Sequence, residues 1–115
     1  MSRYQHLPIY KMTYDLLLKV MNITKSFPKE FKYTLGEKLK DELMELIILI
    51  YRANSEDQRL GTVKSIAERV QVVEVLIRLS LDLKLISNTQ YANLVEMTQS
   101  LSKQTQGWAK SLNKK

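Results

Sequence analysis

The sequence of 115 residues contains no cysteine, one histidine, three glycines and two prolines. Without cysteine, the chain forms no disulfide, and thiol catalysis, iron–sulfur clusters and Cys-ligated zinc are excluded. The lone histidine, His6, excludes a metal site built from several histidines. So few turn-forming residues argue against a fold of many β-strands. The remaining composition, 44% hydrophobic and 26% charged, is typical of a globular chain with one core.

Long hydrophobic runs are also missing. The longest apolar run covers residues 46–51, whereas a membrane-spanning helix needs about 20 residues. The first fifteen residues lack the uninterrupted apolar segment and small-residue cleavage site of a signal peptide. We therefore expect a cytoplasmic protein that does not enter a membrane.

Apolar residues instead recur at alternating intervals of three and four in four segments. This spacing predicts amphipathic helices at about 8–27, 34–54, 60–86 and 88–112. Four such helices with short connections predict an all-α fold, an up-down-up-down antiparallel four-helix bundle formed by residues 1–115 as a single domain.

Local signals mark where these helices begin. Pro8 suits a first helical turn, where its missing N–H is not needed. Thr34 and Glu37 have the spacing of a capping box, in which each side chain caps the other residue's backbone N–H. Ser87 and Gln90 give a second cap signal before the fourth helix.

Trp108 continues the apolar stripe of the fourth segment, and Gly107 lies beside it within the predicted helix. A glycine there costs about 1 kcal/mol relative to alanine, so we expect a packing reason, namely the close approach of another helix. The other aromatic residues on the stripes are predicted to lie in the core or a subunit interface rather than to stack on bases; they are Tyr10, Tyr14, Phe27 and Tyr91.

No catalytic, cofactor-binding or metal site is predicted. The three glycines are isolated, so no glycine-rich phosphate loop is present. A di-iron bundle needs Glu-x-x-His motifs, which the sequence lacks. Glu37, Asp41 and Glu45 share one helix face, and we interpret them as a solvated acidic stripe. The protein is therefore predicted not to be an enzyme.

The net charge of +6 is distributed unevenly. Residues 1–40 carry eight basic side chains against three acidic ones, and residues 91–115 carry four against one. An antiparallel bundle places its first and fourth helices side by side, so these excesses predict a basic surface that contacts nucleic-acid phosphates. The candidate contacts are Arg78, Arg69, Lys84, Arg52, Lys64, Lys11, Lys25, Lys103 and Lys110.

Arg78 is the first of these candidates because it lies among apolar residues of the third helix. Its alternative role is an ion pair with Glu74 or Asp82, each four residues away, which is worth about 0.2–0.5 kcal/mol. For the basic residues as a group, the alternative is that they only keep the protein soluble.

Three stretches resemble a known family. Residues 27–43 (FPKEFKYTLGEKLKDEL) resemble the first loop and second helix of the four-helix-bundle proteins encoded in intervening sequences of bacterial large-subunit rRNA. Residues 76–87 (LIRLSLDLKLIS) are similar to the end of that family's third helix. Residues 107–112 (GWAKSL) resemble the ending of a related branch, the accessory variability determinants of diversity-generating retroelements. Residues 45–54 depart from the SIxxNIAEG-like stretch of the rRNA branch, which favours the retroelement branch.

The resemblance implies a pentameric barrel of four-helix bundles with a positively charged surface. It also implies binding to nucleic acid, RNA or DNA, and to the retroelement's reverse transcriptase. The protein would support mutagenic cDNA synthesis, in which adenines are copied unfaithfully, without being the polymerase. Two alternatives remain, an rRNA-insert type of bundle and a helical assembly module that binds no nucleic acid.

The residues themselves indicate a homo-oligomer, although not its stoichiometry. The apolar run at 46–51 and the wide stripe of the third helix offer more apolar surface than one small bundle covers. Large exposed apolar patches mark interaction surfaces. The pentamer is implied only by the resemblance.

Overall fold

A computed structural model describes residues 4–55 and 60–113 of the chain. A short 3-10 turn at Tyr4–His6 precedes four long helices and one short helix, and this part of the chain contains no strand. The helices are α1 (Pro8–Thr24), α2 (Lys29–Lys32), α3 (Leu35–Ser55), α4 (Leu60–Asp82) and α5 (Asn88–Asn113).

The four long helices form a bundle that measures 47 × 21 × 19 Å. α1 packs against α3 and α5, and α4 packs against the same two helices. α1 is therefore diagonally opposite α4, and α3 is diagonally opposite α5. The predicted all-α four-helix bundle is confirmed, as is the expectation that the first and last helices are neighbours.

The core lies along the bundle axis and receives buried side chains from every long helix. The alternating spacing in the sequence is the reason, because each helix turns one apolar face inward. The most deeply buried large side chains include Leu16, Leu43, Leu46, Ile50, Ile66, Ile77 and Leu101.

Two helices end earlier than the sequence predicts. α1 ends at Thr24 rather than at 27, because Ser26 and Phe27 donate turn-type hydrogen bonds to carbonyls three residues back before Pro28. α4 ends at Asp82 rather than at 86. There Lys84 adopts a left-handed φ of 62°, and the helix closes in a turn that reverses the chain toward α5.

This turn is a Schellman motif. The Leu85 N–H donates to the Ser80 carbonyl at 2.9 Å, and the Lys84 N–H donates to the Leu81 carbonyl at 2.9 Å. Glycine is the usual residue at the left-handed position because a Cβ is crowded there. The sequence does not indicate this helix end, because its leucine-rich periodicity continues to residue 86.

One predicted cap is confirmed and the other is wrong. The Ser87 hydroxyl accepts the Gln90 N–H at 3.0 Å, and the Gln90 side chain accepts the Ser87 N–H at 2.9 Å. Thr34 does not form the corresponding box with Glu37. Its hydroxyl instead donates to the Glu30 carbonyl at 2.7 Å, which joins α2 to α3.

No other helix of the described chain approaches Gly107 closely. It is exposed, and apart from its chain neighbours and the nearby backbone of α5, no atom of the described chain lies within 4 Å of where its Cβ would be. The glycine with a close approach is Gly36, where a Cβ would lie 3.3 Å from the Phe31 carbonyl oxygen and 3.5 Å from the Thr24 Cβ. Gly107 points away from the bundle, whereas Trp108 packs on its edge.

None of the helices within 4–55 and 60–113 combines the length and the hydropathy needed to cross a bilayer.

Candidate nucleic-acid interface

The buried polar side chains of the described bundle are hydrogen-bonded. No group of three or more acidic or histidine side chains in the described ranges could hold a metal ion. Buried hydroxyls serve their own helices: Thr13 and Thr105 each donate to the carbonyl four residues earlier, at 2.8 and 2.7 Å. Every buried side-chain nitrogen or oxygen in this part of the chain has a hydrogen-bond partner.

Arg69 is one of the nine predicted phosphate contacts, and it is already engaged. Its Nη1 donates to Glu42 Oε1 at 2.9 Å, which links α4 to α3. Lys38 completes the cluster, with its Nζ 3.1 Å from Glu42 Oε2. Arg69 is therefore a structural residue of the α3–α4 contact before it is a ligand for phosphate.

Glu42 is the acidic centre of this cluster, and its side chain is only 7% exposed. Burial alone would raise the pKa of the Glu42 carboxyl, because the charged form loses its hydration. Hydrogen bonds and charge from Lys38 and Arg69 outweigh that effect and hold the pKa below its usual value. Glu42 is therefore a buried carboxylate, not an acid poised for proton transfer.

Arg78 forms an ion pair with Asp82, which is the alternative role that the spacing in the sequence allows. Its Nε donates to Asp82 Oδ1 at 3.1 Å within α4, and both side chains are more than half exposed. This hydrogen bond raises the pKa of Arg78. Glu74, the other possible partner, instead accepts a hydrogen bond from the Thr98 hydroxyl on α5 at 2.9 Å. An exposed pair of this kind is weak, so Arg78 can exchange Asp82 for a phosphate.

The other seven candidates are exposed, and none of them has an ion pair within the described residues. They do not form one patch. Lys25 and Lys84 lie at the end of the bundle next to α2, and Arg52 and Lys64 lie at the opposite end. Lys11, Lys103 and Lys110 lie on α1 and α5.

Lys103 and Lys110 form the clearest pair. They are seven residues apart, so both project from nearly the same side of α5, about 10 Å apart along the helix. α5 has no exposed large hydrophobic residue in its described length, and Glu96 is its only acid. This exposed side of α5 is consequently polar and basic.

The residues that line two grooves show how α1 lies against α5. Lys19, Asn22 and Ile23 share an open groove of about 300 Å³ with Thr89 and its neighbours at the start of α5. At the other end, a groove of about 290 Å³ is lined by Leu7, Pro8, Ile9, Gln104 and Trp108. The two helices are therefore antiparallel, as predicted.

Lys19 is a cation that the sequence analysis did not single out. It is exposed and lies in the groove between α1 and α5. On the other side of α5, Arg78 lies on the neighbouring helix α4, and Tyr91 of α5 contributes, after Asp82, to raising the pKa of Arg78. We use the term α5 wall for the surface made by α5 and these flanking cations, namely Lys19, Arg78, Lys103 and Lys110. The groove lining, which periodicity alone does not give, places Lys19 beside α5.

The predicted aromatic residues divide between core and surface. Phe27 is buried, Tyr91 and Trp108 are half-buried, and Tyr14 is 46% exposed. Tyr10 stacks on Tyr14, with ring centroids 6.0 Å apart. Tyr4 joins Tyr10 to Tyr51 of α3 through edge contacts at 5.2 and 5.0 Å. These tyrosines lie on the α1–α3 side, away from the α5 wall.

Comparison with known proteins gives one family. The model of the bAvd-like family matches residues 7–112, which covers nearly the whole described bundle. Neither the curated proteins nor the solved structures that were compared gave a match. The extent of the family match agrees with the resemblance to accessory variability determinants that the sequence carries. The chain therefore belongs to the bAvd-like family.

Proposed function

We propose that this protein is the accessory factor of a diversity-generating retroelement. It binds RNA or DNA and the element's reverse transcriptase, and it supports mutagenic cDNA synthesis without catalysing it. The observation that carries this proposal is the match to the bAvd-like family over residues 7–112. The charge of +6 and a pI near 9.6 are consistent with a polyanionic partner.

The α5 wall supports binding through phosphates. Its lysines have no acidic partner among the described residues, so they bind an anion without first breaking an ion pair. Side chains that contact phosphates fix position but do not read sequence. We expect little sequence preference, and an affinity that falls steeply with salt as counterions are released.

Self-association is a further part of the proposal. Eleven large hydrophobic side chains of the described chain are exposed, and we propose that a subset of them contacts other copies in a homo-oligomer, a pentamer by the resemblance. Light scattering at micromolar protein concentration measures the mass directly. A particle of 13.5 kDa, the mass of one chain, would contradict this part.

A salt titration tests the nucleic-acid role. Fluorescence anisotropy would follow binding to a structured RNA and to a duplex DNA from about 50 to 200 mM salt. We expect both affinities to fall with a similar slope. Binding that does not depend on salt, or no binding at low salt by correctly assembled protein, would reject the role.

The reverse transcriptase requires a separate test, because a protein can bind RNA without binding the polymerase. A reverse transcriptase gene beside this gene would supply the natural partner for co-purification. We expect the complex to survive treatment with nuclease. An oligomer that binds neither nucleic acid nor the reverse transcriptase would instead be a helical assembly module. The exposed apolar side chains are the observation that favours this alternative.

A further inference from the structure

α1 and α4 each carry an exposed row of hydrophobic residues that no part of the described chain covers. On α1 these are Tyr14, Leu18 and Met21, which are 46%, 52% and 38% exposed. On α4 they are Val72, Val75 and Leu79, which are 40%, 66% and 43% exposed. The intervals of four and three on α1, and of three and four on α4, place each row along one side of its helix.

Charged residues continue both rows at the same spacing. The α1 row has Lys11 three residues before it and Lys25 four residues after it. The α4 row has Glu68 four residues before it and Asp82 three residues after it. We call the two sets the α1 seam (Lys11, Tyr14, Leu18, Met21 and Lys25) and the α4 seam (Glu68, Val72, Val75, Leu79 and Asp82).

The seams match in length and have opposite charges. Each spans fourteen residue steps, about 21 Å of helix, with three hydrophobic side chains between two charged ends. Both ends are lysine in the α1 seam and both are acidic in the α4 seam. Within the described chain, no ion pair involves Lys11, Lys25 or Glu68. Asp82 pairs only with the exposed Arg78.

We propose that the α1 seam of one copy packs against the α4 seam of the next copy. This contact is heterologous, because two different surfaces meet. It resembles a coiled-coil seam, with hydrophobic residues at intervals of three and four and charged residues beside them. The inference rests on the self-association in the proposed function but does not require nucleic-acid binding.

The position of the seams determines how successive copies are arranged. Tyr14 stacks on Tyr10, whose aromatic contacts lead through Tyr4 to Tyr51 of α3. Val72 lies one helical turn after Arg69, whose guanidinium reaches α3. Tyr14 of the α1 seam therefore lies toward α3, and Val72 is the α4 seam residue next to Arg69, whereas Asp82 at the other end of the α4 seam pairs with Arg78. Because α1 and α4 are diagonally opposite in the bundle, each copy contacts a different neighbour through each seam, and α5 with its lysines stays uncovered.

The assignment also changes the role of two predicted phosphate contacts. Lys11 and Lys25 lie within the α1 seam, where a neighbouring copy covers them. We therefore assign them to protein contacts and leave Lys103 and Lys110 as phosphate contacts of the assembled protein.

Mixing two variants tests the heterologous contact. Leu18→Glu blocks the α1 seam and Val75→Glu blocks the α4 seam, and each chain keeps the other seam intact. We expect each variant alone to have the mass of one copy by light scattering at micromolar concentration. An equimolar mixture should form particles of two copies, because one intact α1 seam meets one intact α4 seam.

Other results would overturn the proposal. Dimers in either variant alone would mean that each seam binds its own kind. An unchanged wild-type mass in either variant would show that its seam is not used, and a monomeric wild-type protein would exclude the contact. Tyr33→Glu is the matched control, since Tyr33 is 64% exposed and lies outside both seams. Circular dichroism and a cooperative melt verify that every variant is folded.

A charge exchange tests the pairing of the seam ends. Lys11→Glu with Lys25→Glu should weaken the assembly at least tenfold, and so should Glu68→Lys with Asp82→Lys. All four changes in one chain restore opposite charges and should restore assembly, whereas a fourfold variant no better than either double variant would overturn the pairing. RNA binding by the wild-type protein, measured in the same buffer, reports on the proposed function separately.

Discussion

Arg69 on α4 and Glu42 on α3 join two helices through a 2.9 Å hydrogen bond at the edge of the core. Glu42 is almost completely buried, and Arg69 is partly exposed. A buried carboxylate is stable only when donors replace the water that it has lost. In this protein, therefore, part of the positive charge that suggests nucleic-acid binding serves the fold.

Replacing Arg69 should destabilise the bundle. Arg69→Met keeps much of the aliphatic packing but removes the donor, which leaves Glu42 with only Lys38. We expect the free energy of unfolding to fall by about 2 kcal/mol, in the range for hydrogen bonds to charged groups. Urea denaturation at fixed protein concentration measures the change. Lys40→Met is a control that removes the Lys40–Glu37 pair, whose carboxylate is about half exposed, and it should have little effect.

The same cluster predicts a dependence on pH. Because the pKa of Glu42 is lower in the folded protein, its contribution to stability is complete above the pKa of an unfolded glutamate, about 4.3. That contribution is lost as the pH falls through the lower, folded pKa. Glu42→Gln should therefore lower stability at neutral pH and reduce the loss of stability as the pH falls below the pKa of an unfolded glutamate. Equal acid sensitivity in both proteins would contradict the assignment.

Lys84 should be replaceable with a gain in stability. Glycine at this left-handed position removes the crowding of Cβ, and we expect Lys84→Gly to stabilise the fold by about 1 kcal/mol. Thermal melting at fixed protein concentration detects a change of that size. Lys84→Ala removes the charge but keeps the Cβ, so we expect this variant to be no more stable than the wild-type protein. If the Lys84 amine contacts phosphate, both variants should bind RNA equally less well.

Trp108→Ala tests the half-buried edge of the bundle. Trp108 lines the groove between the start of α1 and the end of α5, so its removal should cost less than the roughly 3–5 kcal/mol of a fully buried aromatic residue. Thermal melting and light scattering together distinguish packing from assembly. A lower melting temperature with unchanged mass would assign Trp108 to the fold, and unchanged melting with altered mass would assign it to an interface.

The helices could be predicted from sequence because their periodicity continues for many turns. The Ser87–Gln90 cap could be predicted because both partners are local. Glu42 could not, since its burial depends on Arg69, which is 27 residues away. The end of α4 was missed because Lys84 occupies a position where glycine would have been the signal. The division of the cations was missed because it depends on which of them form ion pairs, and the Arg69–Glu42 pair joins residues that are distant in sequence.

Lys103 and Lys110 project from α5 and have no ion pair in the described structure. Lys103→Ala with Lys110→Ala should weaken binding to RNA and duplex DNA alike and reduce the salt slope by about two, one for each lost phosphate contact. The mass and melting temperature should not change, since both side chains are exposed. The matched control is Lys38→Ala, which removes a lysine that already pairs with Glu42 and should leave the slope unchanged. If the double variant keeps the wild-type slope, the phosphates lie elsewhere, and Lys19 and Arg78 of the α5 wall become the next residues to replace.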